Sequence, residues 1–116
     1  MENLYVITIK KCSYCKNLVK LLNKFKFKFI EEQISENTKK KYKTKRISTF
    51  PQVYFLNQQD KILIGGFTET FKLLNYIIDG HQISELPIDT TKNNKLIIYK
   101  YLSSVLLKRV KVNYEE

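Results

Sequence analysis

The chain of 116 residues holds two cysteines, Cys12 and Cys15, and both stand in one Cys-Ser-Tyr-Cys stretch. A thiol attacks a disulfide only as the thiolate, and an ordinary cysteine, with a pKa of about 8.5, is mostly protonated at neutral pH. A helix is predicted from Ser13, which places Cys12 at its N-terminus, where unpaired N–H groups and partial positive charge favour an anion. Lys10 and Lys11 just upstream and Lys16 nearby add cations. The three-residue spacing sets Cys15 one turn further in, within reach of a bond to Cys12. The pattern predicts Cys12 as the attacking sulfur and Cys15 as the resolving one.

A Cys-x-x-Cys pair is also half of a structural zinc site, but such a site takes four ligands. The only histidine, His81, lies far along the chain without a second ligand beside it, and no further cysteine exists. No metal is expected. Two buried thiols that merely happen to be three apart are the other bland reading of the pair.

Two further segments bear on the pair. Thr49-Phe50-Pro51 precedes a predicted strand. Proline is tolerated best at a strand's first residue, and a cis Phe50-Pro51 bond would aim the preceding backbone at a neighbouring site, although trans is the commoner state. Gly65-Gly66-Phe67-Thr68-Glu69 joins a strand to a helix start. There glycine permits close backbone approach and free N–H groups can hold a carboxylate; a plain tight turn capped by Thr68 is the simpler alternative.

The elements that must position these residues follow from periodicity. Leu4 to Ile9 is apolar and β-branched, a buried strand. Leu18, Leu21, Leu22 and Phe25 recur at helical spacing, with Lys16, Lys20 and Lys24 opposite. Residues 27–34 alternate as a second strand, and a helix is expected within 35–46, beginning after Ser35. Residues 52–56 and 61–64 read as a hairpin joined by Asn57 to Asp60, and Phe71, Leu74, Ile77 and Ile78 as a helix ending near Gly80. A β-α-β-α-β-β-α order implies a mixed sheet with helices packed on it. After a loop with Pro87, Asp89 and Thr90, the residues Leu96, Tyr99, Leu102, Val105, Leu106 and Val110 predict a final helix.

With 43% hydrophobic residues, a chain of this length can bury roughly two-thirds of its unfolded surface without staples. No apolar stretch approaches the ~20 residues of a membrane span, and the acidic start does not resemble a secretory leader, so a cytoplasmic protein that does not engage membranes is expected. Twenty-one Lys and Arg against 11 Asp and Glu give a net charge of +10. The densest cluster, Lys39, Lys40, Lys41, Lys43, Lys45 and Arg46, reads as a solvated face or as steering for anionic ligands; no motif accompanies it that would make specific nucleic-acid binding the main role.

Taken together, Lys10-Lys11-Cys12-Ser13-Tyr14-Cys15 after a strand, Thr49-Phe50-Pro51-Gln52-Val53, and Gly65-Gly66-Phe67 resemble a dithiol glutaredoxin. The resemblance covers residues 1 to about 80. It implies an α/β, thioredoxin-like fold, a four-stranded mixed sheet packed by three helices, here with an extra C-terminal helix. It implies glutathione as cosubstrate, and glutathionylated or disulfide-bearing proteins as partners of a monomeric oxidoreductase. By position, Cys12 would form the mixed disulfide with glutathione and Cys15 would resolve protein disulfides. Lys10 would approach the glycyl carboxylate, Tyr14 matches the active-site tyrosine, Phe50 would offer its backbone to the glutathione cysteine beside the cis Pro51, and Gly66, Phe67 and Thr68 would receive the γ-glutamyl group. Ser13 stands where the family commonly has Pro, Phe50 where it has Val, and Thr68-Glu69 where it has two acids.

Residues 81–116 lie beyond the family's usual compass and are expected to form a loop and a helix docked on the 1–80 domain through Leu102, Val105 and Leu106. The alternative reading is a noncatalytic thioredoxin-like adaptor, or a module holding an iron–sulfur cluster, whose extension serves partners.

Overall fold

The structure is a computed structural model that describes residues 2–58 and 60–115, with residues 108–115 described as helical backbone. Four strands form one mixed sheet in the order β2-β1-β3-β4. These are β1 (Glu2–Ile9), β2 (Phe29–Ile34), β3 (Gln52–Asn57) and β4 (Asp60–Gly65). β1 runs parallel to β2 and antiparallel to β3, and β3 and β4 form the hairpin. Gln59, in the predicted hairpin loop, lies outside the described residues.

The two-residue period of a strand decides which side chains meet which layer. Leu4, Val6, Val53 and Phe55 face the helices and are at most 1% exposed, whereas Ile7, Ile34 and Tyr54 form a separate cluster on the opposite face. Being buried on both sides, β1 is a continuous apolar run rather than an alternating one.

All three α-helices contribute to the same core cluster: α1 (Ser13–Lys24) with Leu18 and Leu22, α2 (Phe67–Ile78) with Leu73, Leu74 and Ile77, and α3 (Lys92–Glu115) with Ile98, Leu102 and Leu106. The fold class expected from the sequence is therefore present, a mixed four-stranded sheet with three helices. The C-terminal helix is one of the three rather than a fourth.

The helix expected within 35–46 does not form. Only a short 3-10 turn, Lys39–Tyr42, occurs there. The stretch carries Tyr42 as its one large apolar side chain, so a helix would have no stripe to bury. Instead Tyr42 and Phe50 cover the second face of the sheet, packing against the Ile7, Ile34 and Tyr54 cluster. The second strand also starts later than its alternation suggests. Lys26 adopts φ 61°, its N–H bonds to the Asn23 carbonyl, and the buried Phe27 donates to the Leu22 carbonyl at 3.0 Å, which closes the end of α1 before the strand begins.

Residues between Leu86 and Leu106 share this core. Leu86 and Ile88, before α3, are buried beside Leu102 and Leu106, and Val105 is half-buried against them. The Tyr101 ring lies 5.3 Å from that of Phe55 on the central sheet. Val110, the last residue of the predicted apolar repeat, has its side chain outside the described residues.

Candidate active site

β1 ends at Ile9, and the chain reaches α1 through the exposed Lys10 and through Lys11 at φ 58°. Cys12 is the helix N-cap, with extended backbone at φ −110°. An N-cap side chain ordinarily offers oxygen to the first free amides. Here the sulfur does so: the Cys15 N–H donates to Cys12 Sγ at 3.1 Å. Both cysteines are free thiols.

The two differ in environment. Cys12 is half-buried, and its Sγ lies 3.8 Å from the Phe50 carbonyl oxygen, to which it donates. Cys15 is 3% exposed. Burial, reinforced by its hydrogen bond with Cys12, pushes the Cys15 thiol up from 9.0 to about 12. An inner thiol that holds its proton beside an outer one at a helix start is the asymmetry an attacker–resolver pair needs.

The Phe50–Pro51 bond is cis, as the resemblance implied, and Pro51 is buried. Pairing of Val53 with Gly65 then brings the proline loop alongside the diglycine turn. Gly66 sits so close that a Cβ there would be 3.4 Å from the Pro51 carbonyl oxygen. Gly65, at φ 136°, has no room for a side chain, since a Cβ would come within 2.6 Å of Glu69 Cβ.

Gly66, not Thr68, is the N-cap of α2. Glu69 Oε1 accepts from the Gly66 N–H at 2.7 Å, and Thr70 Oγ1 donates to the Gly66 carbonyl at 2.8 Å. Thr68 lies exposed in the first turn. Sequence reasoning did not assign Glu69 this part, although an acid three residues past the cap is the spacing that signals it.

Tyr14, 59% exposed, packs its ring 6.2 Å from that of the half-buried Phe67, and Phe71 stacks on Phe67 at 6.0 Å. The turn around Cys12 therefore meets the start of α2 through aromatic rings. Lys10 falls on another side, at the edge of a hollow of about 570 Å³ that Lys11, Cys15, Lys16 and Lys20 also line. The cysteine, proline and diglycine segments, distant in sequence, thus converge on one end of the sheet.

Gln52 is a residue the sequence did not single out. Fully buried next to Pro51, it donates to the Tyr42 carbonyl at 2.7 Å and accepts from the Tyr54 hydroxyl at 2.9 Å, tying the proline loop to the segment before it. Among the described residues no group of three or more His, Cys, Asp or Glu could hold a metal ion, and no helix is long and apolar enough to cross a membrane.

No curated protein matches the chain. The glutaredoxin family model matches residues 4–59, a span that runs from β1 through the cysteine pair and the cis proline into the β3–β4 hairpin. A capped thiol pair, a cis proline facing it and this match lead to one conclusion: residues 4–59 are similar to the glutaredoxin family, whose chemistry is thiol–disulfide oxidoreduction.

Proposed function

We propose that the protein is a glutathione-dependent oxidoreductase that reduces glutathione mixed disulfides and protein disulfides through Cys12 and Cys15. The observation that carries this reading is the placement of Cys12 Sγ, which accepts the Cys15 amide at the start of α1 and lies against the backbone of the cis-proline loop. An amide donor and a helix N-terminus both serve an anionic sulfur.

With a glutathionylated protein, the Cys12 thiolate attacks the glutathione sulfur. A Cys12–glutathione disulfide forms, the substrate's sulfur leaves as thiolate, and a proton from solvent neutralises it. The thiolate of a second glutathione then attacks the glutathione sulfur of that intermediate, releasing oxidised glutathione and restoring Cys12. With a protein disulfide, Cys12 forms a mixed disulfide with one substrate sulfur. Cys15 gives up its proton and attacks Cys12 Sγ, closing the Cys12–Cys15 disulfide and releasing the reduced protein. Two glutathiones then reopen the pair. Because burial holds the proton on Cys15, the inner thiol enters only when its proton can pass to the departing thiolate.

In this reading Lys10 meets the glycyl carboxylate, the Phe50 backbone beside Pro51 pairs with the glutathione cysteine, and Tyr14 and Phe67 border the tripeptide. Gly66 and Thr68 offer the γ-glutamyl end the start of α2. The Gly66 N–H is engaged by Glu69, so recognition at that end rests on the amides that follow it and on the Glu69 carboxylate.

Turnover of a small glutathione mixed disulfide, coupled to reduction of oxidised glutathione, tests the proposal. Cys12→Ser should abolish turnover and Cys15→Ser should retain it. Activity persisting in Cys12→Ser would overturn the roles, and a wild-type protein without turnover would return the chain to the adaptor reading.

A further inference from the structure

The hollow beside Cys15 is walled by Lys10 and Lys11 from the turn and by Lys16 and Lys20 from α1. Lys16 and Lys20 stand one helical turn apart on the same side of α1. Tyr14 lies about 200° around the axis from Lys16, so the hollow and the aromatic contact with Phe67 flank the cysteine turn on different sides.

Among the described residues none of these four lysines forms an ion pair; the pairs that occur are Lys39–Glu36 and Arg46–Asp89. One carboxylate, Glu31, reaches the hollow, and it accepts the Thr8 hydroxyl at 2.7 Å. Four cations thus surround one anion, an imbalance that a negatively charged occupant would relieve. Between the lysines the wall is apolar, formed by Ile9 and Val19. An inorganic anion gains nothing from such a wall, whereas a polypeptide carrying acidic residues around an apolar one meets both features. No aromatic ring lines the hollow, so a nucleic-acid strand would find no stacking platform there.

We propose that this hollow docks an acidic segment of the protein substrate, so that the oxidoreductase selects disulfide partners with glutamate- or aspartate-rich sequence near the reacting sulfur. The inference rests on the oxidoreductase reading for its consequence, but not for its test. Lys11, Lys16 and Lys20 hold the acids, Ile9 and Val19 take the apolar side chain, and Cys12, which follows Lys11 at the start of α1, is presented to the sulfur that follows.

Binding of fluorescein-labelled peptides to the full chain, read by fluorescence anisotropy, tests this without turnover. The probes are a peptide of glutamates around a central leucine and a serine, its lysine counterpart, and an oligothymidylate of equal charge. The acidic peptide should bind more tightly than either of the others. The combined variant Lys11→Gln, Lys16→Gln and Lys20→Gln should weaken it at least about fivefold, from three exposed pairings, and replacement of the same three by Arg should restore binding. Affinity should fall as ionic strength rises to about 0.15 M, where the screening length is about 8 Å. Unchanged binding in the Gln variant overturns the proposal, as does an oligothymidylate that binds more tightly with the same lysine dependence, or inorganic phosphate that displaces the peptide at equal charge. If binding behaves as expected while mixed-disulfide turnover is absent, the oxidoreductase reading fails and the docking site stands.

Discussion

The amide of Cys15 lies 3.1 Å from Cys12 Sγ, so the inner cysteine serves the outer one through its backbone while its own sulfur is buried. One helical turn thereby gives two identical side chains different chemistry. The helix start supplies a donor to Cys12, and the core withholds solvent from Cys15.

Alkylation should read that difference directly. Iodoacetamide at pH 8 is expected to modify Cys12 alone in the folded protein, with Cys15 reacting only after denaturation, because its thiol is both 3% exposed and pushed up to about 12. Peptide mass mapping that finds Cys15 modified as fast as Cys12 would refute the assignment.

The same burial links stability to pH. A folded value near 12 against 9.0 in the unfolded chain means that the native state keeps a proton the unfolded state releases. The resulting stabilisation is complete below about pH 9 and is lost as pH rises toward 12, with a slope of up to about 1.4 kcal/mol per pH unit. Between pH 9 and 11, wild type should lose stability to denaturant more steeply than Cys15→Ala. Parallel profiles would show that the thiol does not contribute.

The C-terminal extension is proposed to be part of the folding unit. Leu102 is 1% exposed in the cluster that also holds Leu4, Val6 and Phe55. Leu102→Ala should cost about 2–5 kcal/mol in chemical denaturation. A chain ending at Gly80 should expose the partners of Leu86, Ile98 and Leu102 and self-associate in light scattering. A stable, monomeric 1–80 fragment would show instead that the extension is an accessory.

The diglycine turn should respond to an added side chain more sharply than the glycine that follows α2. At Gly65 a Cβ meets Glu69 Cβ at 2.6 Å and φ is 136°, so Gly65→Ala is expected to destabilise by about 2–4 kcal/mol. At Gly80, where φ is 78°, an added Cβ would meet nothing within 4 Å. Only backbone strain remains there, about 1–2 kcal/mol for alanine. Equal losses in thermal denaturation would discount the contact with Glu69.

Local chemistry made much of the site legible. Cys12 at a strand-to-helix junction, the lysines around it and the apolar spacing of Leu18 and Leu22 are properties of a few neighbouring residues, and they determine α1 and the place of Cys12 at its start wherever the chain goes next. The family resemblance supplied the cis state of Phe50–Pro51, which no local preference favours. Glu69 displaced Thr68 as the group serving the start of α2 because its carboxylate reaches the Gly66 amide, a choice between two nearby polar side chains that spacing alone leaves open.

What only the tertiary structure decided depends on residues far apart in the chain. Whether 35–46 becomes a helix turns on what Tyr42 and Phe50 must cover on the sheet's second face. Whether α3 stands apart turns on its burial of Leu102 and Leu106 against a core begun by Leu4. The lysine-lined hollow exists because β2 sets Glu31 and Gln33 opposite α1 across a register no local pattern contains. Periodicity acts within a turn or a strand, whereas burial is shared among whichever surfaces the topology brings together, and that sharing is where the sequence by itself falls silent.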